Sequence, residues 1–149
     1  LHEPDGVWNR GAVERAVELA KERGAKRAML LPVSAPFHCT LMEPAARAMS
    51  DALSQVEIGK PVVPLVANVI AEEISDPATI RSLLVDQVTG SVRWRETVIY
   101  MGQRGVRDIW EIGAGKALSG MVRRIDREIS TLAVGTPEDV KSAADSFAG

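Results

Sequence analysis

The chain has 149 residues, 46% of them hydrophobic and 26% charged, with a net charge of −2. That is the length of one ordinary domain, able to bury about two thirds of the surface its unfolded form exposes, and it has no basic surplus to hold a nucleic-acid backbone. The apolar runs are only a few residues long, the first residues do not look like a signal peptide, and one cysteine with two histidines falls short of a structural zinc set; a cytoplasmic protein without membrane span or metal site is expected.

Residues 1–10 hold Pro4, Gly6 and Trp8 without a period and read as an irregular start. From Gly11 the apolar residues Val13, Ala16, Val17 and Ala20 fall at helical spacing to about Arg23, and Gly24 offers a left-handed terminator. Ala28–Val33 reads as a buried strand, and Ser34–Phe37, containing Pro36, as a loop, which sets His38 beyond a strand's carboxyl end. Met42, Ala45, Ala46, Met49 and Leu53 form the stripe of a second helix, with Thr40 as its candidate cap and Pro44 in its first turn.

Pro61–Val69 is too short and β-branched for a helix and reads as a strand ending near Asn68. Asp76-Pro77 opens a third helix whose inward face is Ile80, Leu83, Leu84 and Val88, with the polar Gln87 at the same spacing. Gly90-Ser91 breaks and recaps the chain for a fourth helix striped by Trp94, Val98 and Met101 and stopped by Gly105. A strand over Val106–Ile112, a tight Gly113-Ala114-Gly115 turn and a helix striped by Leu118, Met121, Val122 and Ile125 follow. Thr131–Val134 is a last short strand, and Thr136-Pro137-Glu138-Asp139 caps a terminal helix. Helices alternating with short apolar strands predict an α/β fold, a parallel sheet covered by helices, with chemistry at the carboxyl ends of strands.

His38 is the candidate base, since an imidazole on a loop can take a proton from a hydroxyl nucleophile and return it to a leaving group; the plain alternative is a surface histidine. Cys39 reads as a small hydrophobe rather than a nucleophile, because neighbours on an extended segment point to opposite sides. Gln87 is either a hydrogen-bonding group in a pocket or a helix-end residue whose side chain curls back to solvent, and Asn68 either a ligand contact or a turn residue. Gly113 and Gly115 join a strand to a helix as a nucleotide loop does, but Leu118 stands where a dinucleotide fingerprint wants a third glycine or alanine, and Ala117 follows Lys116 where a phosphate-binding loop wants Ser or Thr. The run Arg123-Arg124 with Arg127 is either an anion-attracting patch or a solvated helix face.

The stretch Leu31-Pro32-Val33-Ser34-Ala35-Pro36-Phe37-His38-Cys39-Thr40-Leu41-Met42-Glu43-Pro44-Ala45 resembles the histidine motif of the malonyl-CoA:acyl-carrier-protein transacylases of bacterial fatty-acid synthesis. Val85-Asp86-Gln87, Val92-Arg93-Trp94, Gly105-Val106 and Glu111-Ile112-Gly113-Ala114-Gly115-Lys116-Ala117-Leu118-Ser119-Gly120 are similar to later landmarks of that family, in order, with Ala114 in place of its usual proline. The resemblance covers roughly residues 11–149. It implies that His38 is the base of a Ser–His pair oriented by the main-chain carbonyl of Gln87, that Phe37 and Asn68 border the acyl pocket, and that malonyl-CoA and the phosphopantetheine of acyl carrier protein are substrates, with no cofactor. The family's G-x-S-x-G elbow and the arginine that pairs with the malonyl carboxylate are missing from this sequence.

The resemblance therefore points to a C-terminal half: residues 11–33 the end of a small ferredoxin-like subdomain, and 34–149 the closing part of a large hydrolase-like acyltransferase domain. Its partners would be acyl carrier protein and the missing N-terminal half, and alone it would be inactive. The alternative is a non-catalytic truncated α/β module that only binds a carrier protein or another partner.

Overall fold

The computed structural model describes residues 10–30 and 37–147. The chain divides into two units, one running to Val63 and including Ser75–Val92, the other made of Pro64–Ile74 and the residues from Arg93 onward.

In the first unit α1 spans Arg10–Glu22. It ends in a Schellman motif: Gly24, at φ +86°, donates to the Lys21 carbonyl and Ala25 to that of Ala20, both at 2.9 Å, so two of the helix's last carbonyls are satisfied. Ala28–Leu30, expected to open a strand, are not part of one. A strand exists by pairing its backbone, and these three residues have no partner strand among the described residues. The remainder of that expected strand, residues 31–33, and the loop at 34–36 lie outside the described residues.

A 3₁₀ turn at Thr40–Met42 leads directly into α2, Glu43–Ser54, so Thr40 does not cap the helix as expected. The turn already satisfies backbone groups that a cap would serve, and Met42 occupies the cap position with no side-chain bond. α3, Pro77–Thr89, begins where Asp76-Pro77 predicts, the Asp76 carboxylate accepting from the Thr79 amide at 2.8 Å. The Thr79 hydroxyl and then its amide hold the Asp76 carboxyl below its ordinary pKa. α2 packs against α3, each contributing one buried residue, Ala46 and Ile80. Arg81 ties the pair by donating from Nη2 to the Val56 carbonyl at 2.7 Å.

The second unit begins with a hairpin, β1 (Leu65–Ala67) antiparallel to β2 (Glu72–Ile74). The strand expected over Pro61–Val69 is thus shortened, and β2 is a strand the sequence reading missed. The turn between them contains no glycine to announce it: Ala71 adopts φ +58° and donates to the Ala67 carbonyl at 2.7 Å. There follow α4 (Trp94–Gln103), β3 (Asp108–Ile112), α5 (Ala117–Ile125), β4 (Ser130–Val134) and α6 (Pro137–Phe147). Arg93, rather than Ser91, is the cap residue of α4.

β3 and β4 are parallel, Asp108 opposite Ser130 through Ile112 opposite Val134, with α5 as the crossover, so the parallel α/β pairing expected from the sequence is present. Val98, Val122 and Ile129 form the core at 0–2% exposure, ringed by Trp94, Met101, Ile109 and Ile125. These residues come from α4, α5 and β3 and from the approach to β4, so one cluster holds two helices to the sheet.

Two further carboxylates fasten helix starts in this unit. Glu111 on β3 reaches across the Gly113–Gly115 turn and accepts from the amides of Leu118 at 3.0 Å and Ser119 at 2.8 Å. The nearby Ser119 hydroxyl and then the Ser119 amide hold the Glu111 carboxyl below its ordinary pKa. At α6, Asp139 accepts from the amides of Gly135 at 3.1 Å and Thr136 at 3.0 Å and returns its own amide to the Thr136 hydroxyl at 3.2 Å, a reciprocal cap. The Gly135 amide is the leading cause of the lowered Asp139 pKa.

A carboxyl whose pKa is lower folded than unfolded stabilises the fold above its unfolded pKa, and that contribution is lost as pH falls through the folded value. The melting temperature should therefore fall as pH drops below the ordinary carboxylate range. Glu111→Gln should lower it near neutrality and flatten the acid loss, as followed by circular dichroism between about pH 7 and pH 3. A Cβ at Gly135 would stand 2.9 Å from the Gly113 carbonyl oxygen. Gly135→Ala should cost about 1–3 kcal/mol, read from the urea midpoint.

Candidate active site

His38 lies just ahead of the 3₁₀ turn at φ +61°, a left-handed backbone that non-glycine residues seldom adopt. Its Nδ1 is 3.0 Å from the main-chain oxygen of Gln87, near the carboxyl end of α3. The oxygen is available for a local reason. Gly90 ends the helix with an extended backbone, φ −79° and ψ 151°, and its N–H closes on Asp86, so the carbonyl of Gln87 is one of the helix's orphan acceptors.

The chemistry of the pair follows from what a carbonyl can do. It only accepts, so the hydrogen bond requires the proton on Nδ1 of the neutral ring and leaves the Nε2 lone pair free. A ring held this way can receive a proton at Nε2 while remaining anchored at Nδ1. His38 is exposed, so Nε2 belongs to a surface that a second group can approach.

Of the sequence-predicted site residues, His38 and Gln87 are brought into contact across 49 positions. Phe37 precedes the histidine and is 55% exposed. The Gln87 side chain folds onto the helix end and not out to solvent, its Nε2 donating to the Gly90 carbonyl at 3.4 Å and its Oε1 buried. Asn68 sits in the second unit at the end of β1, where Oδ1 accepts from the Arg93 amide at 3.0 Å and Nδ2 donates to the Thr97 hydroxyl at 3.1 Å. It thereby caps α4 from outside, leaving one N–H and one lone pair of its amide uncommitted among the described residues. Sequence reading missed this network, including the Arg93 guanidinium on the Ile70 carbonyl at 2.9 Å. No spacing rule links a turn asparagine to a helix start 25 residues on.

The turn tested as a nucleotide loop has another occupant. The amides at the start of α5 that would face a phosphate are bonded to the Glu111 carboxylate. Gly113 and Gly115 are used for their backbone, at φ +137° and +100°.

Helices together with a parallel strand pair define the class: part of a hydrolase-like acyltransferase domain. Solved structures agree. The acyl-carrier-protein-S-malonyltransferase of Bartonella henselae matches 93% of this chain, at 54% identity and a TM-score of 0.85, with 44% of its own length covered. A type II PKS acyl-carrier protein in complex with its malonyl-transacylase includes a chain that matches 92% of this one, at 40% identity and a TM-score of 0.84, with 44% of that chain covered. In sequence, the malonyl CoA-acyl carrier protein transacylase of Bacillus subtilis is 43% identical over 131 residues, 88% of this chain and 41% of that protein. No family model matches the chain. The chain matches the C-terminal half of the malonyl CoA-acyl carrier protein transacylases, spanning about 40–47% of the length of its curated relatives.

Asn68→Ala removes the outside cap of α4 and strands the buried Thr97 hydroxyl. It should cost about 1–3 kcal/mol in denaturant unfolding and leave the His38 ring signals in the NMR spectrum unmoved.

Proposed function

We propose that this chain is the base-bearing half of a malonyltransferase that moves malonyl from coenzyme A to the phosphopantetheine thiol of an acyl carrier protein. The observation that carries the reading is the 3.0 Å contact from His38 Nδ1 to the Gln87 carbonyl, in a chain that matches transacylases of this kind. Acyl carrier protein enters as partner because one structural neighbour is a malonyl-transacylase in complex with such a protein.

In this reading a serine on the missing N-terminal half is the nucleophile. Nε2 of His38 takes the serine proton as the oxygen adds to the thioester carbonyl. The tetrahedral intermediate collapses, the C–S bond breaks, and the departing coenzyme A sulfur leaves with the proton from Nε2. The carrier's thiol then gives its proton to Nε2 and adds to the serine ester, and the serine oxygen recovers the proton as malonyl leaves on sulfur. Gln87 keeps its bond to Nδ1 through both half-reactions, so the ring gains and loses a proton without turning. No cofactor takes part in these steps.

Phe37 and Asn68 are assigned to the border of the acyl pocket, Asn68 with the uncommitted part of its amide. Residues 11–33 are assigned to the end of a small ferredoxin-like subdomain and residues 34–149 to the large acyltransferase domain, with the cytoplasm as the place of action. No helix among the described residues is long and apolar enough to cross a membrane.

Alone, the chain should show no transfer of radiolabelled malonyl to carrier protein. Supplied with a transacylase N-terminal segment bearing the serine elbow, it should transfer malonyl, and His38→Ala should lower that rate by at least about 100-fold. A reassembled His38→Ala enzyme that keeps its rate would remove His38 from the role of base. Reassembly that gives binding to carrier protein without any transfer would favour the non-catalytic module.

A further inference from the structure

We propose that the side chain of Gln87, and not only its main-chain carbonyl, positions His38. The inference rests on the reading of His38 as the base. The geometry separates the two parts of the residue. The carbonyl is free for Nδ1 because the backbone leaves the helix at Gly90, and the Gln87 carboxamide folds over that same break, donating from Nε2 to the Gly90 carbonyl at 3.4 Å. The other end of the amide, Oε1, is buried with no hydrogen-bond partner among the described residues.

A buried acceptor left unpaired costs stability, and a thioether of similar length would avoid that cost. Glutamine at this position is therefore poorly explained by packing. It is explained if the N–H is needed to hold the Gly90 peptide in the extended orientation that exposes the carbonyl. The side chain then acts on the imidazole through the backbone of its own helix end.

The test is Gln87→Met on the chain as it exists, with the ring nitrogens of His38 followed by ¹⁵N NMR and stability by thermal unfolding. The main-chain carbonyl remains in the variant. The expected result is an unchanged or higher melting temperature, together with a shift of both ring nitrogens from a single Nδ1–H tautomer towards a mixture. Ring signals and a titration curve identical to those of the parent chain overturn the proposal, as does a loss of stability with the ring unmoved. Should Gln87→Met fail to fold, Gln87→Glu replaces the donor facing Gly90 by an acceptor at equal length and is read in the same way. Because the readout is the imidazole itself, an unmoved ring and an absence of malonyl transfer in a reassembled enzyme are separate failures.

Discussion

The hydrogen bond between Nδ1 of His38 and the Gln87 carbonyl is the constraint on which the rest of the first unit depends. A carboxylate partner would bring a full charge and its own hydration; a helix-terminal carbonyl brings a partial negative charge and a direction fixed by the helix. That direction is only as good as the helix end. α3 is fixed at its start by the Asp76 cap and along its length by packing on α2, and it stops at Gly90. At the other partner, the left-handed backbone of His38 costs conformational energy, which surrounding structure has to offset. The 3₁₀ turn that begins just after it runs straight into α2, so both ends of the hydrogen bond are tied to one pair of packed helices.

The second unit solves a different problem, holding two short parallel strands to their crossover. Its core is a small cluster centred on Val98, Val122 and Ile129, and the start of α5 is held by a side chain from β3. Glu111 does there what a bound anion does in a phosphate-binding loop. An internal carboxylate at a helix start and an external phosphate compete for the same amides, so the glycine turn serves the fold instead of a nucleotide.

Elements with strong local signals were legible in the sequence. The Asp76-Pro77 start of α3, the Gly24 stop of α1, the reciprocal cap at Thr136 and Asp139 and the apolar stripe of α5 each rest on residues within a turn or two of one another. What was not legible depends on partners distant in sequence or on backbone angles that no residue type announces. β2 follows a turn in which Ala71 takes a left-handed angle normally marked by glycine. The start of α4 depends on Asn68 rather than on its neighbour Ser91, and the expected opening of a strand at Ala28 has no described strand to pair with. For the site, periodicity exposed Gln87 as a polar group on an apolar face, but only resemblance gave its carbonyl a task. Neither revealed that its side chain folds back on the residue ending the helix.

In the proposed reading, the contact between His38 and the Gln87 carbonyl lets a base be prepared within this chain. Tautomer choice and ring direction are set by a hydrogen bond whose donor and acceptor both lie in this chain, so neither requires the nucleophile to be present. What the other half adds in the proposed reaction is the atom to be deprotonated and the groups that recognise the acyl chain. Such a division places the entropy cost of orienting the imidazole in the folding of α2 and α3, before any substrate arrives. It also makes the site sensitive to changes at the end of α3 that touch no substrate, because a Gly90 backbone returned to helical angles would bring the Ser91 amide to the Gln87 carbonyl in place of the ring.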